Sequence, residues 1–357
     1  MKDLKYLLAY ILPASTCLAL AFLGFWSWAT VVLSFAIIPF LELVLPQSTA
    51  NIPPEMEENR SRRRLFDVLL YLNLPVLFAL VGWYLYVIQT QNLIFLEMAG
   101  LTLSTGILVG AIGINVAHEL GHRARRYEQI MAKWMLLTAL YQHFFIEHNR
   151  GHHKNVATDL DPASARLGEP VFTFWWRSVA GGWRNAWRLE HERLQKAGLP
   201  YWSRHNEMLR FQIWQLLWLA GIGLLLGVKA LLGALAIALI GILLLETINY
   251  IEHYGLRRQL LPSGRPEPVT PAHSWNSDHE LGRIFLYELT RHSDHHYKAT
   301  RKYQILRHLD ESPQLPLGYP GSVLLALAPP LWFSVMDERA KISRKKLVAD
   351  APNPLEN

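Results

Sequence analysis

Six long apolar stretches, separated by short polar breaks or by long polar segments, dominate the pattern along the chain. A helix that crosses a bilayer needs about 20 mainly apolar residues, and 51% of this 357-residue chain is hydrophobic. The predicted spans are residues 4–25, 26–45, 65–89, 93–117, 211–228 and 230–251. Consecutive spans lie close enough to form three hairpins. The pattern therefore predicts an all-α, polytopic membrane protein.

The basic residues predict the orientation of these spans. Of the 35 Lys and Arg residues, only Lys229 falls in a segment expected on the far side of the membrane. Basic segments stay in the cytoplasm, so both termini and the long segments 118–210 and 252–357 are expected there, at a bacterial inner membrane. We expect residues 1–357 to form one membrane-embedded domain with a cytoplasmic, histidine-rich helical cap. The net charge of +6 suits a membrane-facing or partner-facing surface, and no nucleic-acid module is visible.

Nine of the fifteen histidines fall in four short motifs at the cytoplasmic ends of the spans or in the long segments. The motifs read HELGH, HNRGHH, NYIEHYGL and HSDHH. Their histidines are His118, His122, His148, His152, His153, His253, His292, His295 and His296. One metal takes at most about six ligands. Nine convergent imidazoles would therefore imply two metals. The sequence does not apportion the nine between them, although a division into four and five would leave an open position.

Local spacing indicates how these rings are arranged. Two histidines at i and i+4 share a helix face, so His118 and His122 can bind one metal, and HSDHH also places its rings on one face. Adjacent His152 and His153 diverge by about 100° on a helix. They therefore serve different metals, or Gly151 breaks the helix. The apolar residues 129–146 cannot cross the membrane, because His148 would then lie opposite His122.

The ligand type narrows the metal without naming it. Imidazole suits iron, copper, nickel and zinc, whereas a sulfur-free set disfavours Cys-rich structural zinc and carboxylate-only magnesium or calcium. The lone Cys17 excludes an internal disulfide and an iron–sulfur or rubredoxin module within this chain. Acceptors for the second ring nitrogens are expected beside the motifs. The candidates are Glu119, Glu147, Glu252, Asp294, Asp161 and His273, although a solvated position is favoured for Asp161.

The four motifs together resemble the signature of the integral-membrane alkane 1-monooxygenases, relatives of the membrane fatty-acid desaturases and of xylene monooxygenase. The resemblance covers nearly the whole chain and implies a non-haem di-iron centre, with two iron ions held by the nine histidines. It also implies O₂-dependent terminal hydroxylation of medium- to long-chain n-alkanes, with electrons from rubredoxin and its NADH-dependent reductase. No acid–base or nucleophilic residue is required beyond the di-iron centre. Glu252 in NYIEHYGL favours the alkane branch over the xylene-type relatives.

Several alternatives stay open from the sequence. The O₂-activating di-iron centre that the resemblance implies could instead hydroxylate alkyl-aromatic methyl groups or desaturate an acyl chain. HELGH also satisfies the HExxH zinc-protease pattern, although one further ligand would complete that site and leave most of the clustered histidines unexplained. A histidine-rich metal transporter would place its ligands near the bilayer midplane, where these spans have no histidine.

The substrate tunnel and the remaining features are predicted from position alone. Tunnel candidates are Ser34, Phe35, Trp28 and Trp83, and a small residue at position 34 would leave room for longer chains. His143, His191, His205, His279 and His308 lie outside the motifs and are expected at the surface or the interface. The polar tail after Met336 is expected to be a frayed end.

Overall fold

The computed structural model describes residues 2–349, and the regular structure within that range is helical, without a β-strand. Six helices are long and apolar enough to cross a membrane. These spans are Asp3–Phe22, Gly24–Val44, Arg64–Thr90, Phe95–Gly121, Glu207–Leu225 and Val228–His253. They match the predicted spans within four residues at each end. The prediction of an all-α protein with six candidate spans is therefore confirmed.

Small residues let the fourth and sixth spans approach closely. A Cβ atom at Gly106 would lie 2.5 Å from the side chain of Ile240, and one at Gly110 would lie 2.9 Å from that of Leu244. Helices in a bilayer gain much of their contact energy from such close packing. The fourth and sixth spans end in His118 and His253 motifs, so this contact brings two of the four histidine motifs together.

Three helices contain a π-helical turn, in which one extra residue is accommodated. These turns are Leu33–Ile37 in the second span, Val109–Ile114 in the fourth span and His148–His152 in the HNRGHH motif. Such turns are frequent at functional sites. The hydrophobic pattern did not predict any of them.

The other two histidine motifs, HNRGHH and HSDHH, lie among helices outside the six spans. These helices are Pro54–Ser61, Arg126–Thr138, Phe144–Glu147, Val171–Lys196, Glu280–Phe285, His292–Tyr297, Tyr319–Ala326 and Pro329–Ala349. The helix Arg126–Thr138 packs back against the end of the fourth span. A turn through Leu140, whose φ is 53°, then leads to Phe144–Glu147. The apolar residues 129–146 thus return towards the histidines, as predicted.

The prediction of a frayed tail after Met336 is wrong up to Ala349. Those residues continue the helix Pro329–Ala349, which meets Tyr319–Ala326 at 118°. Met336 and Ala340 are fully buried, and the hydroxyl of Tyr254 donates to Asp337 over 2.6 Å. This helix therefore packs against the rest of the protein through one buried face, although its composition is polar. The rest of the predicted tail, residues 350–357, lies outside the described residues.

Candidate metal centre

The nine motif histidines converge into two adjacent groups. Within each group, one ring nitrogen of every histidine lies within 4.8 Å of the others. The group of five consists of His118, His122, His148, His153 and His295. The group of four consists of His152, His253, His292 and His296. Histidines that are spread over about half of the sequence thus meet at one end of the helix bundle.

The local helices explain this division. His118 and His122 share one face at the end of the fourth span and join the same group. The helix continues through HNRGHH, so His152 and His153 point to different groups. The helix is therefore not broken at Gly151, and the assignment of the two rings to different metals stays a prediction. The HSDHH helix is likewise divided, with His295 in the group of five and His292 and His296 in the group of four.

The spacing of the ring nitrogens fits metal coordination. Neighbouring Nε2 atoms lie 2.9 to 3.2 Å apart in both groups. Two nitrogens bound to one ion at about 2.1 Å and at right angles would lie about 3.0 Å apart. Hydrogen bonds cannot account for the set, because the Nε2 atom of His153 has three such neighbours, at 3.2, 3.0 and 3.2 Å. Each group therefore has the donor atoms and the spacing to hold a metal ion.

Burial keeps most of these rings neutral, as a metal ligand must be. Burial, followed by the nearby His152, lowers the pKa of His122 to about 3. Burial and the neighbouring imidazoles also hold the pKa of His148 and of His295 well below the usual range. His152 is the exception, because the Asp161 carboxylate overcomes the effect of burial and raises its pKa.

Among the predicted acceptors, Asp161 makes the clearest contact with a ring. It is 1% exposed, and its Oδ2 atom lies 2.9 Å from Nδ1 of His152. The solvated position favoured from the sequence is therefore wrong. Ser164 and the backbone N–H of Ala163 also donate to this carboxylate, at 2.5 and 3.1 Å. These bonds fix the carboxylate, which in turn fixes the His152 ring.

Glu252 lies on the metal-facing side of the site. Its Oε2 atom is 3.2 Å from Nε2 of His292, and the hydroxyl of Tyr319 donates to its Oε1 atom over 2.8 Å. A carboxylate beside a ligating nitrogen can accept a proton or approach the ion. Tyr319, which the sequence did not single out, is thus part of the site.

The side chains of the other four candidates bind groups other than the nine rings. Glu119 binds Arg123 at 2.6 Å and accepts from the backbone of Tyr303 at 3.2 Å, away from the position of a protease base. Asp294 accepts from Arg301 at 2.6 Å. The remaining two pairs are Glu147 with Asn185 at 3.1 Å and His273 with Glu267 at 3.1 Å.

The histidines outside the motifs divide between the surface and the interior. His191 and His205 are exposed, as predicted, and His308 is half-buried. His143 and His279 are buried, so their predicted surface position is wrong. His143 packs with Tyr141 at a ring distance of 4.3 Å, and burial lowers its pKa to about 4. An isolated histidine carries no spacing signal that would have revealed this.

An apolar cavity extends from the spans to both histidine groups. Its walls include Ile38, Ile107 and Leu245, and its inner end is lined by His118, His148 and His292. The polar residues at that end are Asn115, Asn249, Glu252 and Tyr319. Asn115 lies three residues before His118, and Asn249 lies four residues before His253. Each asparagine therefore shares a helix face with a motif histidine, and this spacing could have identified both from the sequence.

The tunnel candidates divide into two pairs. Ser34 and Phe35 line the cavity, and both belong to the π-helical turn of the second span. Trp28 and Trp83 do not line it. Trp28 packs where a Cβ atom at Gly100 would stand, and Trp83 is 37% exposed on the outside of the bundle. Aromatic residues on an outer surface suit the membrane interface rather than a tunnel.

The fold and the site together define a class of protein: a polytopic membrane protein with a histidine-rich metal site at the end of an apolar cavity. The sequence profile of the fatty acid desaturase family matches residues 94–321, which contain all nine histidines. This chain is 37% identical to alkane 1-monooxygenase 1 of Alcanivorax borkumensis over 339 residues, covering 94% of this chain and 84% of the relative. The chain belongs to the alkane 1-monooxygenase family.

Two further relatives support this placement. Alkane 1-monooxygenase 1 of Pseudomonas aeruginosa is 41% identical over 320 residues, covering 89% of this chain and 84% of the relative. The xylene/toluene monooxygenase hydroxylase component of Pseudomonas putida is 28% identical over 342 residues, covering 94% of this chain and 88% of the relative. The similarity is thus greater to the alkane enzymes, as the sequence of the NYIEHYGL motif predicts.

Proposed function

We propose that this chain hydroxylates the terminal methyl group of medium- to long-chain n-alkanes to give primary alcohols. The observation that carries the proposal is the apolar cavity that ends at both histidine groups. An n-alkane has no polar group, so it must bind by burial of its methylenes, worth about 0.8 kcal/mol each. The names of the relatives at 37 and 41% identity agree with this substrate.

The nine histidines are proposed to hold two iron ions, one in the group of five and one in the group of four. Neutral, buried imidazoles and ring nitrogens about 3 Å apart suit such ions. Bound iron would supply the redox chemistry that activates O₂. A group of four leaves coordination positions open, and the cavity reaches that group at His292 and the group of five at His118 and His148.

The chain's own residues position the substrate and exclude water. The apolar walls of the cavity allow an unbranched chain to present its end carbon to the histidines. The shape of the cavity would then select the terminal methyl group. The same walls keep bulk water from the reacting carbon, which limits side reactions. The Glu252 carboxylate, held by the Tyr319 hydroxyl, is placed to accept and return a proton at the inner end of the cavity.

The reaction requires an external reductant. Conversion of R–CH₃ and O₂ to R–CH₂OH and water consumes two electrons and two protons. Cys17 is the only cysteine, so this chain cannot hold the four-thiolate iron of a rubredoxin. We assign the electrons to reduced rubredoxin and its NADH-dependent reductase, acting at the cytoplasmic side of a bacterial inner membrane. Residues 1–357 would then form one domain, with both termini and the segments 118–210 and 252–357 on that side.

The test combines metal analysis with product analysis. Protein purified without oxygen should contain two irons per chain and no stoichiometric zinc. With rubredoxin, reductase and NADH, gas chromatography of a panel of n-alkanes should show primary alcohols. Alkenes would identify a desaturase, and oxidation of xylenes but not of alkanes would identify an alkyl-aromatic hydroxylase. One zinc and no iron would favour the protease.

His253→Ala tests the ligand assignment. Because His253 is fully buried in the group of four, we expect the variant to lose about one of the two irons and nearly all activity. His191→Ala, at an exposed position outside the motifs, is the matched control and should retain both. If His253→Ala keeps its iron and its activity, the assignment of this residue is wrong.

A further inference from the structure

A strongly basic pocket lies at the Glu207 end of the fifth span, on the same side of the bundle as the histidines. Arginines from four helical segments and one loop line it. They are Arg126, Arg150, Arg193, Arg204 and Arg210. Arg150 belongs to the HNRGHH motif, so the pocket is continuous with the helix that carries three of the metal-site histidines. The alkane cavity does not include any of these arginines.

Two buried carboxylates hold part of this basic pocket in place. Glu190 binds Arg193 at 2.6 Å and Arg150 at 3.2 Å. Glu207 binds Arg210 at 3.3 Å and Lys133 at 2.6 Å. These ion pairs restrain the side chains before any ligand arrives, so less conformational entropy is lost when an anion binds.

The carboxylates do not neutralise the pocket. Arg126 and Arg204 are exposed and form no ion pair within residues 2–349. Their guanidinium groups line the pocket together with the paired arginines. An excess of positive charge in a concave site favours an anion, and guanidinium groups bind phosphate oxygens well.

An apolar groove continues from the basic pocket along the outside of the fifth span. Glu207 and Arg210 line both features, and Ile130, Trp134 and Trp214 line the groove. These three side chains are 53%, 40% and 46% exposed, and the two indole rings lie 5.4 Å apart. The groove faces outward from the bundle at the level where tryptophans commonly meet a membrane interface.

We propose that the basic pocket and the apolar groove bind an anionic phospholipid, with its phosphate among the arginines and an acyl chain along the tryptophans. The two features have opposite character and share two residues, which fits an amphiphile with a charged head. Neither free phosphate nor an acidic protein would use an apolar groove on the outer face of a span. The bound headgroup would also restrain Arg150 and hence the HNRGHH helix. The proposal is independent of the alkane substrate.

The test compares lipid retention by the intact protein and its variants. Each is placed in nanodiscs that contain equal amounts of phosphatidylglycerol and phosphatidylcholine, and retained lipid is measured by native mass spectrometry after release. The parent protein should retain phosphatidylglycerol selectively. Arg126→Gln combined with Arg204→Gln should weaken that retention by about tenfold or more, since each basic residue near an anionic headgroup contributes about 1 kcal/mol.

A matched double variant separates a site from general charge attraction. Arg62→Gln with Arg64→Gln removes the same charge near the start of the third span and should retain the lipid as the parent does. Equal losses in both double variants, or no loss in Arg126→Gln/Arg204→Gln, would overturn the proposal. A pocket variant that keeps its lipid but has a higher KM for reduced rubredoxin would show that the arginines bind an acidic protein instead.

A third variant tests the apolar groove. Trp214→Gln should weaken retention of phosphatidylglycerol while leaving the affinity for glycerophosphoglycerol, the same headgroup without acyl chains, unchanged. If glycerophosphoglycerol displaces the lipid at equal concentration, the arginines bind a phosphate alone and the groove plays no part. That outcome would contradict the proposed amphiphile.

Discussion

Asp161 shows how a carboxylate orients a histidine ring through the ring nitrogen that points away from the other histidines. It lies nine residues after His152, in a segment of turns, where an isolated aspartate usually faces solvent. Here it is buried and contacts the Nδ1 atom of His152, opposite the Nε2 atom that faces the other rings. The carboxylate fixes the tautomer and the orientation of that ring, and such partners increase the affinity of a metal site.

Asp161→Asn should therefore weaken the metal site more than its small change in volume suggests. The amide keeps the shape but loses the charge that favours donation by His152 Nδ1. Iron affinity or activity should fall by about 10- to 100-fold. The measurement is the rate of iron loss to a chelator, together with alkane turnover.

Asp159→Asn is the control for this variant. Asp159 is two residues away, its side chain is 83% exposed, and its nearest cation is Arg257 at 3.7 Å. The control should behave as the parent does. Equal iron retention in Asp161→Asn and Asp159→Asn would contradict the proposed role of Asp161.

The sequence predicted the convergence of the histidines more accurately than it predicted the residues that contact their rings. Spacing of four on an α-helix correctly joins His118 with His122 and His292 with His296. It fails for His148 and His152, because the π-helical turn between them places His153, five residues on, beside His148 instead. The residue next to a ligand on a helix points about 100° away from it, which explains why Glu119 and Asp294 bind arginines instead of rings. Asp161 reaches His152 through a loop, and no helical spacing encodes that contact.

At the level of elements, each of the three π-helical turns contributes to the cavity or the metal site. The turn Leu33–Ile37 presents Ser34 and Phe35 to the cavity, and Val109–Ile114 presents Gly110 and Ala111. The turn His148–His152 carries ligand histidines of both groups. An extra residue in a helix shifts which side chains face inward, so these turns set what the substrate meets.

Ser34→Trp should shorten the longest alkane that the enzyme accepts. The Ser34 hydroxyl is buried without a hydrogen-bond partner among the described residues, and an indole there would fill part of the cavity. Gas chromatography of products from a series of chain lengths would show the preference shifting towards shorter chains, with the total rate on short chains largely kept.

Val32→Trp adds the same indole two residues earlier, at an exposed position of the same span. It should leave the chain-length profile unchanged. If the profiles of Ser34→Trp and the parent coincide, Ser34 does not limit the length of the substrate.

The hydrophobic pattern predicted the six spans but neither the π-helical turns nor the last helix. A span needs only sustained apolarity, which a window of residues reveals. One extra residue in a turn leaves that apolarity unchanged, so π-helical turns carry no signal in the pattern. The helix Pro329–Ala349 packs through a single buried face that includes Trp332, Met336 and Ala340. The many charged residues on its other faces make the overall composition polar, so composition alone did not indicate a packed helix.

At the scale of the whole molecule, the spans separate a basic side from a side with little charge. Only Lys229, at the start of the sixth span, departs from the basic side. Arginines also occupy the basic pocket and the histidine cap there. By the positive-inside rule, the proposed orientation places the histidines on the cytoplasmic side.

Labelling of introduced cysteines tests this orientation. In a Cys17→Ser background, Lys229→Cys should react with a membrane-impermeant thiol reagent in intact spheroplasts. Arg188→Cys, at a side chain that is 59% exposed, should react only after the membrane is permeabilised. The reverse pattern would show that the metal site faces the outside.

The order of the histidine motifs along the chain has a consequence for biogenesis. The last span ends at His253, whereas both histidine groups need residues of the HSDHH helix that follows it. During synthesis all six spans therefore leave the ribosome before either metal site is complete. If the two groups hold metals as proposed, insertion into the membrane precedes metal loading, which is then a late maturation step that depends on the fold already reached in the bilayer.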